Sequence, residues 1–150
     1  MSDQSSEPKL LLPGLAPLYR QIVPLSWLVV RLAAGLTLFY HGTTKIGHVD
    51  AVTDNMIKNG IPLSVLAAYV VILTETVGAF CVAIGFFTRF FAAACAIDLA
   101  VITFDVLWPK GFVWSRGGYE FMLMWGLIMF AIALRGGGPY SIDRWIGREL

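Results

Sequence analysis

Charge is scarce in this chain, and so are the residues that usually carry metal or thiol chemistry. Only 14% of the 150 residues are Asp, Glu, Lys or Arg, against about 25% in an ordinary soluble domain. Eleven basic and ten acidic residues leave a net charge of +1, which gives no electrostatic footprint of nucleic-acid binding. There are two cysteines and two histidines. Cys81 and Cys95 do not make a Cys-X-X-Cys pair and no Cys-X-X-Cys-His occurs, which argues against a disulfide oxidase and against covalent haem. His41 and His48 share one segment and cannot clamp a haem between facing helices, and no clustered set of ligands offers a metal site. No metal and no covalently bound cofactor is therefore expected. No cleavable leader is expected either, because the first apolar stretch comes late and contains Arg31.

Apolar sequence is what the chain has in abundance, at 57% of residues. Four runs stand out, over 22–45, 61–87, 89–108 and 118–135. The second, Ile61 to Phe87, would measure roughly 40 Å as a helix, more than the ~30 Å hydrocarbon core of a bilayer. Pro62 falls in its first turn, where a missing N–H costs little. Only Thr88 separates runs two and three, so these form an antiparallel hairpin. Pro109 ends the third run, and Arg135-Gly136-Gly137-Gly138-Pro139 ends the fourth. The pattern predicts an all-α, integral membrane four-helix bundle over residues 22–135. Residues 1–21, with Pro13 and Pro17, read as a polar tail and an interfacial segment. Residues 136–150 read as a surface segment holding a short amphipathic helix capped by Ser141.

Basic residues outside the runs set the orientation. Lys9, Arg20, Arg89, Arg135, Arg144 and Arg148 share one side with both termini, while Lys45, Lys58, Lys110 and Arg116 lie on the other. The excess places both termini in the cytoplasm.

The few charges inside the runs are the candidate functional residues. A carboxylate at the middle of a bilayer costs on the order of 3 kcal/mol by insertion scales, so Glu75 requires a partner, a proton or a water-filled pocket. Counting ~1.5 Å per residue puts Arg31 and Asp98 at one depth near the cytoplasmic side, Glu75 and Asp105 in the middle, and His41 and Lys45 toward the far face. Arg31, Ala34, Gly35, Leu38, His41, Gly42 and Lys45 share one helical face, as do Glu75, Gly78, Ala79, Val82, Gly85 and Arg89. Asp98 and Asp105 share a face with Cys95 and Ile102. Charges thus ride on stripes of small residues, where helices meet. The expected charge network is Arg31, Glu75, Asp98, Asp105, Lys45 and Arg89, with Arg31 paired to one of the acids. His41 alone among these side chains has an ordinary pKa near neutrality, which makes Glu75 and His41 the candidate proton or quinone site. The same charges read equally as glue that fixes the bundle's register.

These residues fall into recognisable motifs. Arg31-Leu32-Ala33-Ala34-Gly35 leading to His41-Gly42-Thr43-Thr44-Lys45 resembles the first-span pattern of the DoxX family. Glu75-Thr76-Val77-Gly78 followed by Gly85-Phe86-Phe87-Thr88-Arg89-Phe90-Phe91-Ala92 resembles its second motif, and Gly137-Gly138-Pro139-Tyr140-Ser141-Ile142-Asp143 its closing signature. The resemblance runs in order from about Trp27 to Asp143. It implies a small four-helix protein of the bacterial inner membrane in which Arg31, His41, Lys45, Glu75 and Arg89 are the matching polar positions. Asp98 and Asp105 lie outside the motif. Some members are small subunits of thiosulfate:quinone oxidoreductases and others are linked to membrane redox complexes. The implied role is an accessory redox subunit bordering a quinone or proton site, in contact with the lipid bilayer and with other subunits or copies of itself. The alternative is a purely structural subunit of a larger membrane assembly.

Overall fold

Runs of apolar residues with few charges to solvate fold here into helices, because only intrahelical bonding satisfies the backbone in an apolar setting. The structure, a computed structural model, describes residues 10–149, and the regular elements among them are all helical. Three rods are long and apolar enough to cross a membrane, Pro13–Thr43, Ser64–Ile84 and Thr88–Lys110.

Helix α1 (Ala16–Thr43) follows a single 3-10 turn, Pro13–Leu15. The prolines lead one to expect a separate interfacial segment over 1–21, with the span starting at 22. Instead the helix begins at Ala16 and continues through Pro24. Pro17 sits in the first turn, where it has no bond to lose, and an internal proline is tolerated in membrane helices. Residues 1–9 of that expected segment lie outside the described residues.

The 47–60 connection holds a helix that the sequence reading did not foresee, α2 (Val49–Lys58), which packs against α3 (Ser64–Leu73). Helix α3 passes through a π-helical turn, Thr74–Gly78, into α4 (Ala79–Ile84), forming one rod. A tight turn with Gly85 and Phe87 at positive φ reverses the chain into α5 (Thr88–Val101). A second π-helical turn, Ile102–Leu107, extends α5. Helix α6 (Glu120–Arg135) runs back along α5 and, at 16 residues or about 24 Å, is shorter than the 23-residue rod Thr88–Lys110. The chain closes with α7 (Ile142–Ile146), capped by the Ser141 hydroxyl, which accepts from Arg144 N at 3.2 Å.

The core is built from small residues on one helix facing larger ones on the next: Ala34, Leu38, Ala79, Val82, Ala92, Cys95, Leu99, Trp125, Met129 and Ile132. The buried positions of α1, Arg31, Ala34, Gly35, Leu38 and Gly42, form the expected stripe. Large apolar side chains such as Leu66, Val70, Phe90, Ile97, Leu127 and Phe130 face outward, as a lipid-facing surface requires. At Gly35 the helices touch backbone to backbone: an added Cβ would stand 2.8 Å from both Ala79 O and Ala83 N. Gly35→Ala is therefore expected to destabilise the fold by about 1–3 kcal/mol, measured as thermal unfolding in detergent. Gly126→Ala places its methyl 3.4 Å from Leu99 Cβ and is expected to be neutral or stabilising.

Candidate functional site

The polar residues inside the bundle form two separate layers. In the layer toward the α2 end, Glu75 lies in the π-helical turn and is wholly buried. Gly42 permits this close approach, since a Cβ there would meet the Glu75 backbone at 2.6 Å. Lys45, just beyond the end of α1, reaches back so that its Nζ donates to Glu75 Oε1 at 2.6 Å. The Lys45 side chain keeps 20% of its surface exposed while that of Glu75 keeps 0%, so the lysine forms the mouth of the site and the carboxylate its floor.

Asp98 belongs to the same layer. One turn before it on α5, Cys95 donates its thiol to Thr74 O at 3.6 Å, which sets this part of α5 against the π-helical turn that carries Glu75. Glu75 Oε2 and Asp98 Oδ2 are both enclosed and lack hydrogen-bond partners among the described residues. Lys45 is bridged to Glu75 alone, and Asp98 makes no ion pair among the described residues. His41 sits on the adjoining turn of α1, half-buried, with its ring centroid 6.2 Å from that of Trp125. Among the described residues no hydrogen bond joins it to either acid. Trp125 is itself fixed by donating to Ala34 O at 3.2 Å.

The second layer surrounds Arg31, which is 1% exposed. The expected pairing of Arg31 with Glu75, Asp98 or Asp105 is not formed. Its Nε donates to Ala83 O at 3.1 Å, its Nη1 to Gly137 O and its Nη2 to Tyr140 O. Counting residues down each helix put Arg31 level with Asp98, but that arithmetic ignored the chain after α6. This segment folds back beneath the bundle and offers its carbonyls there. Asp143 joins this layer by donating its N–H to Gly85 O at 2.9 Å. At 3% exposure its carboxylate accepts from Phe87 N (2.7 Å), Thr88 N (2.9 Å) and Thr88 Oγ1 (2.6 Å). It thereby satisfies orphan donors at the start of α5.

Two further members of the expected network stand elsewhere. Arg89 donates to the carbonyls of Ala133, Leu134 and Arg135, closing the end of α6, and pairs with Glu149 at 3.4 Å. Asp105 is exposed, because the second π-helical turn rotates it off the face it would share with Asp98 on a regular helix. Of the expected network, Lys45 and Glu75 are the members that pair with each other among the described residues. Sequence reasoning missed the role of Asp143, which reads as a surface acid in the first turn of α7. The available signal was its place in the closing motif, opposite Thr88. Cys81 and Cys95 are buried free thiols, and among the described residues no three His, Cys, Asp or Glu side chains gather as metal ligands.

Compared with known proteins, residues 26–108, more than half of the chain, match the family model described as DoxX. No curated protein and no solved structure matches the chain.

Proposed function

Since the chain belongs to the DoxX family of membrane proteins, we propose that it is an accessory subunit of a bacterial inner-membrane redox complex. In this reading it crosses the bilayer four times and borders a quinone or proton site. The fourth crossing is α6. It runs the length of α5, from the stacked rings of Trp108 and Tyr119 (centroids 4.6 Å) to the carbonyls held by Arg89. Both termini then lie with the Phe87–Thr88 turn on the more basic, cytoplasmic side.

The observation that carries the reading is the buried Glu75–Lys45 pair. Ionisable side chains buried at membrane depth are expensive and usually mark a path for protons, ions or substrate. Glu75 is the group able to exchange a proton with a quinone oxygen, Lys45 holds its charge in place, and His41 with Trp125 supplies polar and aromatic surface beside it. The protein would act with other subunits or with copies of itself, since four spans alone enclose little space.

The test is purification in mild detergent, extraction of bound quinone, and assay of quinone reduction by the co-purified complex. Glu75→Gln is expected to abolish reduction while the complex stays assembled. Bound quinone absent from wild type, together with an unchanged rate in Glu75→Gln, would remove the proposal. A structural role has its own support, because the Lys45–Glu75 bridge ties α1 to the α3–α4 rod. In that case Glu75→Gln lowers the abundance of the assembly and leaves turnover per complex intact.

A further inference from the structure

Helices α5 and α6 pack along their length, yet their outward faces leave a groove of about 770 Å³ between them, lined from Arg89 to Thr103. Phe90, Leu127 and Phe130 stand exposed along it. Thr103 spends its hydroxyl on Leu99 O at 2.7 Å, so the groove is hydrocarbon except at its Arg89 end. Arg89 to Thr103 measures roughly 21 Å at ~1.5 Å per residue, longer than one leaflet, which is about 15 Å or half of the hydrocarbon core. Arg89 joins this end to a second space. Its Nη2 meets Arg135 O at 3.3 Å and Glu149 Oε2 at 3.4 Å, and both of those residues line a pocket of about 300 Å³ with Arg144 and Arg148.

We propose that this face of α5 and α6 holds one anionic phospholipid, with an acyl chain in the groove and the phosphate among Arg135, Arg144 and Arg148. Charge complementarity selects the occupant. Four arginines, Arg89, Arg135, Arg144 and Arg148, meet two carboxylates, Asp143 and Glu149, an excess of two positive charges. Neither acid is turned to the three pocket arginines. The Asp143 carboxylate faces inward to Phe87 N and to Thr88, while Glu149 accepts from Gly137 N at 2.7 Å and pairs with Arg89. Arg135, Arg144 and Arg148 make no ion pair among the described residues. The guanidinium of Arg135 lies 4.4 Å from the centre of the Trp27 ring, a type of contact that holds it at the rim. A guanidinium presents a planar fork that matches phosphate, and basic pockets beside membrane-spanning helices suit anionic head groups. A zwitterionic lipid brings no net charge to offset the excess. A second copy on a two-fold axis along the membrane normal would set the same arginines against their own kind, which disfavours it. A soluble anion would leave the apolar walls uncovered.

The inference takes from the reading above only that α6 lies in the bilayer, and the two fail separately. Lipid retention on this face does not depend on quinone near Glu75, and quinone reduction does not report the lipid. The full chain is transferred to micelles carrying equal amounts of dioleoyl phosphatidylglycerol and dioleoyl phosphatidylcholine, and the lipids still bound are counted by native mass spectrometry. One phosphatidylglycerol per chain is expected, retained over phosphatidylcholine by about tenfold or more, since each arginine near the head group contributes roughly fivefold. Arg144→Gln with Arg148→Gln, both exposed at the surface, is expected to remove the preference. Lys110→Gln with Arg116→Gln, at the other end of α5 and α6, leaves it at the wild-type level. Ala93→Phe, one turn beyond Arg89 in the groove, is expected to abolish retention with every arginine in place. Equal retention of the two lipids by wild type would overturn the proposal. So would displacement of phosphatidylglycerol by inorganic phosphate, which assigns the arginines to a soluble anion. A two-chain mass that Ala93→Phe splits would assign the groove to a second copy and overturn it as well. The comparison of lipids on wild type needs no variant to fold.

Discussion

Asp143→Ala is expected to destabilise the folded chain by about 3–5 kcal/mol, the range for breaking a buried charged interaction. One carboxylate accepts three hydrogen bonds at the junction of α4 and α5, and hydrogen bonds to charged groups contribute about 1.5–3 kcal/mol each. The position also restrains an unfavourable backbone. Phe87 adopts a φ of 44°, a left-handed conformation that costs an aromatic residue on the order of 1–3 kcal/mol and persists only where its surroundings hold it. The bond from Phe87 N to Asp143 is that restraint. Thermal or denaturant unfolding in micelles measures the loss. Thr88→Val, which removes the hydroxyl donor alone, is expected to cost about 1 kcal/mol. Equal effects of the two variants would show that the backbone bonds contribute little.

Arg31→Met is expected to be as damaging, again about 3–5 kcal/mol, and for a reason that separates the two polar layers. Arg31 bridges α1 to the end of α4 and to the segment before α7, and among the described residues no other donor reaches the carbonyls of Gly137 and Tyr140. Gly85 makes room for it, because a Cβ there would lie 2.9 Å from the guanidinium carbon. Arg31→Lys is expected to recover little, since an ammonium cannot present the planar fork that addresses three carbonyls from three directions. If Arg31 neutralised Glu75, the double variant Arg31→Met/Glu75→Gln would be more stable than Arg31→Met. The structure puts the two residues in different layers, so their effects should add to within about 0.5 kcal/mol. Arg31→Met and Asp143→Ala, which share the C-terminal segment, should instead couple. A double-mutant cycle with the opposite pattern would restore the pairing that the sequence suggested.

Much of this arrangement is visible in the residue order. The buried faces of α1 and of the α3–α4 rod follow from helical spacing, because small residues must recur every three or four positions for helices to approach closely. Gly35 against Ala79 and Gly42 against Glu75 are instances of that rule. The hairpin after Ile84 follows from having too few residues between two runs to do anything else. Spacing failed where the helix itself departs from regular pitch. A π-helical turn changes the phase of everything beyond it, which is why Asp105 left the face of Asp98. It failed again at Arg31, whose partners are backbone carbonyls more than 100 residues away in sequence. Carbonyls carry no sequence signature, so no pattern of side chains could have named them.

Composition and periodicity by themselves determined that this chain is a helical membrane protein, which faces of its helices are buried, and that Glu75 must be compensated. These are local consequences of transferring apolar and charged groups out of water, and each depends only on a residue and its near neighbours along a helix. Tertiary structure alone decided what compensates what: Lys45 rather than Arg31 for Glu75, backbone carbonyls for Arg31, and two peptide N–H groups and a hydroxyl for Asp143. Electrostatic and hydrogen-bond partnership falls off over a few ångströms. It is settled by the rotation and offset of one rod against the next, which the order of residues constrains only through the packed whole.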